Sequence, residues 1–501
     1  MGIYLSDREL QALDSADQGF ESPVPTQIIS NGEFNPLPQT AQQKRVEARI
    51  GELAEQYGRK RGLNRRAFLQ TSSGMAAAFL AMNQVFGPLF EVSEAEAATA
   101  EMADARATVL SHQFIFDDQT HFVHDGFNQE GLLGLGMFAA KNWNPNLKPE
   151  QLTLAYYKFE NYVRQIFLNS DTKVALLSGA PFDDPAWWLL PNDQIKEAVT
   201  MINKVAGSRR MLGHFVITPG QDGWMDEVDR ALAELPPDSW KAYTIGDPLS
   251  AKTKYPWRLD DEKLMYPFYE KAVKAGITTI AIHKGLMPAD YEKSWPGVWR
   301  YQTPWDIPKA AKDWPQINFI IYHGCLRPFL EKPDKVLAEF EATGEILWAT
   351  DLARVPQEHG VTNVYAELGT SFANSATANP RFAAALLGSY IKHMGADHVI
   401  WGTDSLWYGS PQWQIEALRR LEIPEDMQKK HGFAPLGAAT GAVKGGIFGY
   451  NSARIYNLDL RADRADYGPL SPDKFDEIKL TYQRAGGLIP NASCGYIPQT
   501  A

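Results

Sequence analysis

The sequence has little cysteine: Cys325 and Cys494 are the two in 501 residues. Two thiols cannot build a disulfide scaffold or a four-thiolate zinc site, and they leave room for at most one bridge, in an oxidising compartment. A basic excess is missing too. With 49 Lys and Arg against 60 Asp and Glu, the net charge is −11. That argues against nucleic acid as a partner, because such binding uses clustered cations to displace counterions. Outside one stretch near the N-terminus, no run is apolar long enough to span a bilayer. No glycine-rich phosphate loop follows the first strand-like run, which weighs against a doubly wound nucleotide-binding sheet. What remains is a globular composition, 44% apolar and 22% charged, in a chain long enough to bury a large core.

The exceptional stretch is NRRAFLQTSSGMAAAFLAMNQVFGPLFEVSEAEA, Asn64 to Ala97. Paired Arg65 and Arg66 precede Phe68 and Leu69, a mildly apolar run reaches Phe90, and Ala95-Glu96-Ala97 offers a small-x-small exit. Charged, apolar and small-residue regions in that order read as a bacterial export signal. The arginine pair resembles the twin-arginine signal, whose machinery carries proteins that are already folded. The expectation is a periplasmic or secreted protein, exported folded, with no stable membrane span after processing. A buried core helix is the other reading. The position is unusual, since more than sixty residues precede the pair. The expected organisation is a polar extension over 1–63, the signal segment over 64–97, a barrel over 98–460 and a weakly patterned tail over 461–501. Within the extension, QQKRVEARIGELAEQYGRK has the amphipathic period of a short helix.

From Thr108 the pattern becomes regular. Eight short apolar runs (HQFIFDDQTH, TKVALLSG, MLGHFVITPG, WKAYTIGD, ITTIAIHKG, INFIIYHGC, NVYAELGT and HVIWGTDS) alternate with segments of helical period. Several of those segments end in Gly before the next run, as helix C-termini do. Continuous apolar runs suit strands buried on both faces, and strand then helix repeated eight times predicts an α/β fold, a (β/α)8 barrel. The open doubly wound sheet is the alternative.

Four of the eight runs end in a residue able to bind metal or move a proton: His121, His283, His323 and Asp404. In a barrel the C-terminal strand ends meet at one mouth, so residues nearly three hundred positions apart converge there. Imidazole and carboxylate suit zinc and similar divalent ions, and three protein ligands leave a position for water. These runs, with the late IFGYNSARIYNLD, resemble the amidohydrolase superfamily, in the branch of amidohydrolase-related hydrolases and aminocarboxymuconate semialdehyde decarboxylase. The resemblance implies one divalent metal ion, zinc or alternatively manganese, on His121, His283 and Asp404. It implies that Asp404 orients or deprotonates water, and that His323 polarises the substrate or relays a proton. The family begins with His-x-His; here the pair is Gln119-Thr120-His121, on one face because alternate strand residues point the same way. Gln119 is thus expected as a weak fourth ligand. Two-metal relatives carry a carboxylated lysine at the end of the fourth strand, whereas Lys241 stands at the start of the fourth run.

Smaller expectations surround this set. His124 lies three residues beyond His121 and reaches the mouth only if the loop turns at once; otherwise it is a loop histidine. Arg327 could hold a substrate carboxylate bidentately or form a salt bridge. Trp187 and Trp188 could line an aromatic pocket or simply pack. Lys284 reads as structurally paired, Glu367 as a residue supporting the site, and Asp351 as a cap. The function expected is a metal-dependent hydrolase acting on an amide, ester, lactone or C–C substrate of small size. A nonoxidative decarboxylase of an aromatic or unsaturated acid is the alternative, and a non-catalytic ligand-binding barrel is the third. The expected partners are that small molecule and the export machinery, with a homodimer as an option.

Overall fold

A computed structural model describes residues 22–26, 39–127, 154–246, 251–328, 331–460, 470 and 472–487. Eight parallel strands follow one another in sequence order: β1 (Phe116–Thr120), β2 (Val174–Ser178), β3 (Met211–Val216), β4 (Ser239–Tyr243), β5 (Thr279–His283), β6 (Asn318–Tyr322), β7 (Val364–Glu367) and β8 (Val399–Ile400). Each lies inside one of the eight apolar runs. The ring is completed by backbone hydrogen bonds between β1 and the chain after β8. Asp118 N–H donates to the Trp401 carbonyl (2.9 Å), Asp404 N–H to Gln119 (2.9 Å) and His121 N–H to Ser405 (2.6 Å). The architecture is the expected (β/α)8 barrel.

β1 carries an irregularity that matters later. Asp117 pairs with Ala175 and Thr120 with Leu177, so three steps on β1 match two on β2. Such a bulge re-aims side chains. Beyond it, Thr120 turns outward, its hydroxyl bonded to the Leu176 carbonyl (2.8 Å), which leaves Gln119 and His121 on the inner side.

Helices between the strands form where the period called for them, at Asn192–Ala206, Trp224–Glu234, Pro333–Thr343 and Pro380–Met394. The first and third end on left-handed glycines, Gly207 and Gly344. Asp351 sits in the first turn of a helix, Ala349–His359, rather than at its cap, which is Trp348. Inside the barrel, Phe116, Leu176, Leu212, Ala281, Ile320 and Ile400 pack against Tyr456 from the chain beyond β8. Lys241 is buried among them with its Nζ 3.3 Å from the centre of the Tyr322 ring, a cation–π contact. Cys325 is buried and free; Cys494 lies outside the described residues. The tail contains a helix the sequence pattern left out, Lys474–Arg484, opened by a capping box between Asp473 and Asp476.

The stretch resembling a signal is part of this fold. The amphipathic patch forms Ala41–Lys60, and Asn64 and Thr71 cap the helices Arg65–Leu69 and Ser72–Phe86. Residues Ser73 to Met82 are all buried. Beyond them the chain bridges to Leu421 through Phe90, in antiparallel pairing. Glu96 then meets Arg420 (2.6 Å) on the helix Gln412–Arg420. Glu416 of that helix accepts from Arg419 (2.8 Å), Arg420 (3.0 Å) and Arg106 (2.9 Å). No described helix is long and apolar enough to cross a membrane.

Burial pushes the Glu416 carboxyl up, but Arg420, Arg419 and Arg106 outweigh it and hold it well below the usual carboxylate range. Replacing the carboxylate leaves three guanidinium groups short of a buried partner, which costs about 3–5 kcal/mol. Chemical denaturation at pH 7 should show that loss for Glu416→Gln. A depressed folded-state pKa stabilises above the unfolded value, about 4.3, and its contribution fades as pH falls below that. The gap between variant and wild type should therefore narrow in acid.

Candidate active site

The barrel brings the four strand-end residues together in a buried group. His121, His283, His323 and Asp404 are each at most 3% exposed. His121 Nδ1 lies 2.6 Å from the Ser178 carbonyl at the end of β2. A carbonyl only accepts, so Nδ1 carries a hydrogen and Nε2 is the nitrogen that faces the mouth. Asp404 Oδ1 is 3.1 Å from that nitrogen. Gln119 reaches both, with Nε2 3.0 Å from Asp404 Oδ1 and 3.3 Å from His121 Nε2. His283 stacks on Tyr243 (4.5 Å between ring centres) and meets His323 edge-on (4.9 Å).

Two of these residues adopt left-handed backbone: His323 with φ 60° and Asp404 with φ 57°. Non-glycine residues rarely do so, and such strain persists only where neighbours hold it. For His323 the neighbours are on and just after β7. Glu367 Oε2 accepts its N–H (3.0 Å), and the Ser371 hydroxyl donates to its carbonyl (2.7 Å). Glu367 explains the glycine of WGTDS, since a Cβ on Gly402 would lie 1.9 Å from Glu367 Oε1.

Asp404 is oriented by groups the sequence pattern gave little reason to select. Thr370 Oγ1 donates to Asp404 Oδ2 (2.5 Å) and so must accept from the Tyr408 hydroxyl (2.6 Å). Asn374 Nδ2 donates to the same Tyr408 oxygen (3.1 Å). The chain of donors runs in one direction, Asn374 to Tyr408 to Thr370 to Asp404. The only signal for it is the pair of hydroxyl residues, Thr370-Ser371, directly after a strand end. Trp407 stacks near His121 (6.0 Å) and meets Tyr157 at a tilt (5.2 Å), adding an aromatic wall.

The electrostatics follow from burial. Desolvation, with His283 adding to it, holds His323 well below the ordinary histidine value, so it is neutral at pH 7. Neither His323 nitrogen has a hydrogen-bond partner among the described residues. Burial raises the Glu367 and Asp118 carboxyls, and pushes Asp117 up to about 7 against hydrogen bonds from Thr403 and Gln119. Below the site, burial and then Lys241 keep His214 neutral.

The remaining expected residues lie further out. Arg327 pairs with Glu331 (2.5 Å), yet its Nε and Nη1 are buried without a partner among the described residues. Lys284 is fully buried on Asp306 (3.0 Å), a structural pair. His124 is in the loop after β1, its N–H bonded to Leu189 (3.0 Å) and its ring edge-on to Phe127. Trp187 and Trp188 are half-buried after β2, with Trp188 Nε1 donating to the Phe182 carbonyl (3.1 Å).

A family model described as amidohydrolase matches residues 191–458, more than half of the 501. The chain belongs to the amidohydrolase family. No curated protein sequence matches this amidohydrolase. Solved structures that resemble it include an uncharacterised TIM-barrel protein from Bordetella bronchiseptica, 14% identical over 68% of this chain and 98% of that one, with a TM-score of 0.42. The 2,6-dihydroxybenzoate decarboxylase from Rhizobium is 14% identical over 69% and 99%, with a TM-score of 0.40. A dihydroxybenzoic acid decarboxylase from Polaromonas sp. JS666, solved with bound manganese, is 14% identical over 69% and 97%, with a TM-score of 0.39.

The donor chemistry of this amidohydrolase fits a divalent cation. One imidazole has its tautomer set by a carbonyl, a carboxylate oxygen stands beside it, and buried nitrogens of His323 have no partner of their own. Even so, no three His, Cys, Asp or Glu side chains among the described residues close on one point. The Gln119 amide lies between the two that come nearest.

Thr370→Val tests the donor chain. It removes a hydrogen bond to a charged group, about 1.5–3 kcal/mol, or on the order of 10–100-fold in kcat/KM. Thr370→Ser should stay within about three-fold of wild type. Equal melting temperatures for all three would show that the loss is one of orientation.

Proposed function

We propose that this amidohydrolase is a metal-assisted, nonoxidative decarboxylase of an aromatic or unsaturated carboxylic acid. The observation that carries the reading is His323: buried, neutral, and open at both ring nitrogens among the described residues. Such an imidazole can give a proton from one nitrogen while the other takes one up. Asp404, by contrast, already accepts on each oxygen, from Gln119 and from Thr370. It is arranged to orient rather than to collect a proton from water.

In this reaction the bond between the substrate carbon and its carboxyl group breaks and carbon dioxide leaves. The electron pair stays on that carbon, which takes the proton His323 delivers, and solvent restores the proton to the imidazole. A divalent cation, zinc or manganese, held by His121, His283, Asp404 and the carbonyl of Gln119, would supply a Lewis acid toward an oxygen of the substrate. Tyr243 and Trp407 lie beside the histidines and suit a flat ring. The open guanidinium nitrogens of Arg327 suit a second acidic group on the substrate.

Hydrolysis of an amide, ester, lactone or C–C bond is the second reading. The contact between His121 and Asp404 favours it, because that pair could position an attacking water.

Purified enzyme supplied with manganese or zinc should release carbon dioxide from members of a panel of hydroxylated aromatic acids. Asp404→Asn and His323→Ala should each lower that rate by at least about 100-fold. Release of amine or alcohol from amides and esters, with no carbon dioxide from any acid, would move the assignment to hydrolysis. Retention of full turnover by both variants would remove the site from the mechanism.

A further inference from the structure

The chain that carries His323 leaves β6 through a tight turn of unusual hand. Leu326 N–H donates to the His323 carbonyl (3.0 Å), closing a β-turn. Its central residues are Gly324, at φ 54° and ψ 26°, and Cys325, at φ 56°. Both are left-handed, which makes this a type I′ turn. Gly324 adopts such backbone freely, but Cys325 does not. Turning the one peptide between them by half a rotation would give type II′. There the glycine stays left-handed and the second residue returns to ordinary negative φ. The two residues alone therefore suit II′, and I′ is what the protein holds.

The contact that opposes the turning comes from the helix Pro380–Met394, between β7 and β8. Its Tyr390 donates a hydroxyl to the Gly324 carbonyl (2.8 Å), which belongs to the central peptide. The hydroxyl is packed directly against the turn, since a Cβ on Gly324 would overlap Tyr390 Oη and Cζ. Tyr390 is fully buried. If the peptide turned, the hydroxyl would face an N–H instead of a carbonyl, and its own hydrogen would be left unpaired. On the other side, Gly285 lies so close that a Cβ there would be 2.7 Å from the Cys325 carbonyl carbon. The Gln302 carbonyl also accepts from Cys325 Sγ (3.5 Å). These contacts hold the turn in place, and the Tyr390 bond fixes which way its central peptide points. Glu367 and Ser371 grip the N–H and carbonyl of His323 itself, and neither bond involves that peptide.

Resting on the reading that His323 delivers the proton, we propose that Tyr390 is a positioning residue that sets His323 by locking this turn in its I′ form. Tyr390 touches no reacting atom. Its hydroxyl fixes the Gly324–Cys325 peptide, and the imidazole one residue earlier keeps its edge-on place beside His283. Without the hydroxyl, turning the peptide relieves the strain at Cys325, and the imidazole moves with the chain.

The test compares crystal structures and carbon dioxide release for full-length wild type, Tyr390→Phe and the double variant Tyr390→Phe/Cys325→Gly. Tyr269→Phe is the control, because it loses another buried hydroxyl bond, to the Leu259 carbonyl (3.0 Å). Expected for Tyr390→Phe is a turned Gly324–Cys325 peptide, with Cys325 at negative φ and the His323 ring displaced. Its kcat should fall about ten-fold with KM within about two-fold of wild type. Glycine at 325 removes the strain of the I′ form. The double variant should therefore regain the I′ turn and a kcat within about three-fold of wild type, and Tyr269→Phe should keep full kcat. A Tyr390→Phe structure with the turn unchanged, or with the peptide turned and His323 still in place, would overturn the proposal. So would a double variant no faster than Tyr390→Phe, or an equal loss of kcat in Tyr269→Phe. Should no acid release carbon dioxide, the proposed reaction is lost, and the place of His323 in the variant structures still decides this proposal.

Discussion

The site depends on the seam where the barrel closes. β1 and the chain after β8 are at opposite ends of the barrel sequence, and the backbone bond from Asp404 N–H to the Gln119 carbonyl ties them edge to edge. Neighbouring strands sit about 4.8 Å apart. That spacing sets Asp404 within reach of both Gln119 and His121, and the bulge on β1 turns those two inward. The seam also confines Asp404 to left-handed backbone, which Thr370 and Tyr408 then stabilise through its carboxylate. Geometry at the reacting centre is therefore a by-product of closing the ring.

Much of this was legible in the residues alone. Strands buried on both faces cannot avoid being continuous apolar runs, so all eight were visible, and their polar C-terminal ends marked the mouth. Pairing Gln119 with His121 by the two-residue strand period was sound, although the bulge rather than simple alternation puts them inside. The reading of Lys284 as a structural partner also follows from the period, because its neighbour His283 faces the interior. What the sequence hid were contacts between distant elements. Thr370, Tyr408 and Asn374 carry no local pattern that separates a donor chain from ordinary turn and helix residues. Nothing in the run HVIWGTDS shows that Gly402 leaves the space Glu367 needs.

The stretch from Asn64 to Ala97 shows a different limit. An apolar segment with small residues and flanking arginines satisfies two physical demands at once, that of an export signal and that of a helix buried on every side. Here the helix Ser72–Phe86 is covered by its neighbours, and the chain beyond it enters the charge network around Glu416. Composition measures how much apolar surface a segment has, and not what comes to cover it.

That arrangement has a consequence for how the protein is made. Glu96 and Arg420 are 324 residues apart. At the ~5–20 residues per second typical of synthesis, the N-terminal helices emerge on the order of tens of seconds before the helix that receives them. Throughout that interval the carboxylate of Glu96 has no Arg420 to meet, whereas Ser72–Phe86 already has Ala41–Lys60 to pack against. The N-terminal helices can therefore assemble on one another first, and their ionic link to Gln412–Arg420 is made only when that later helix arrives.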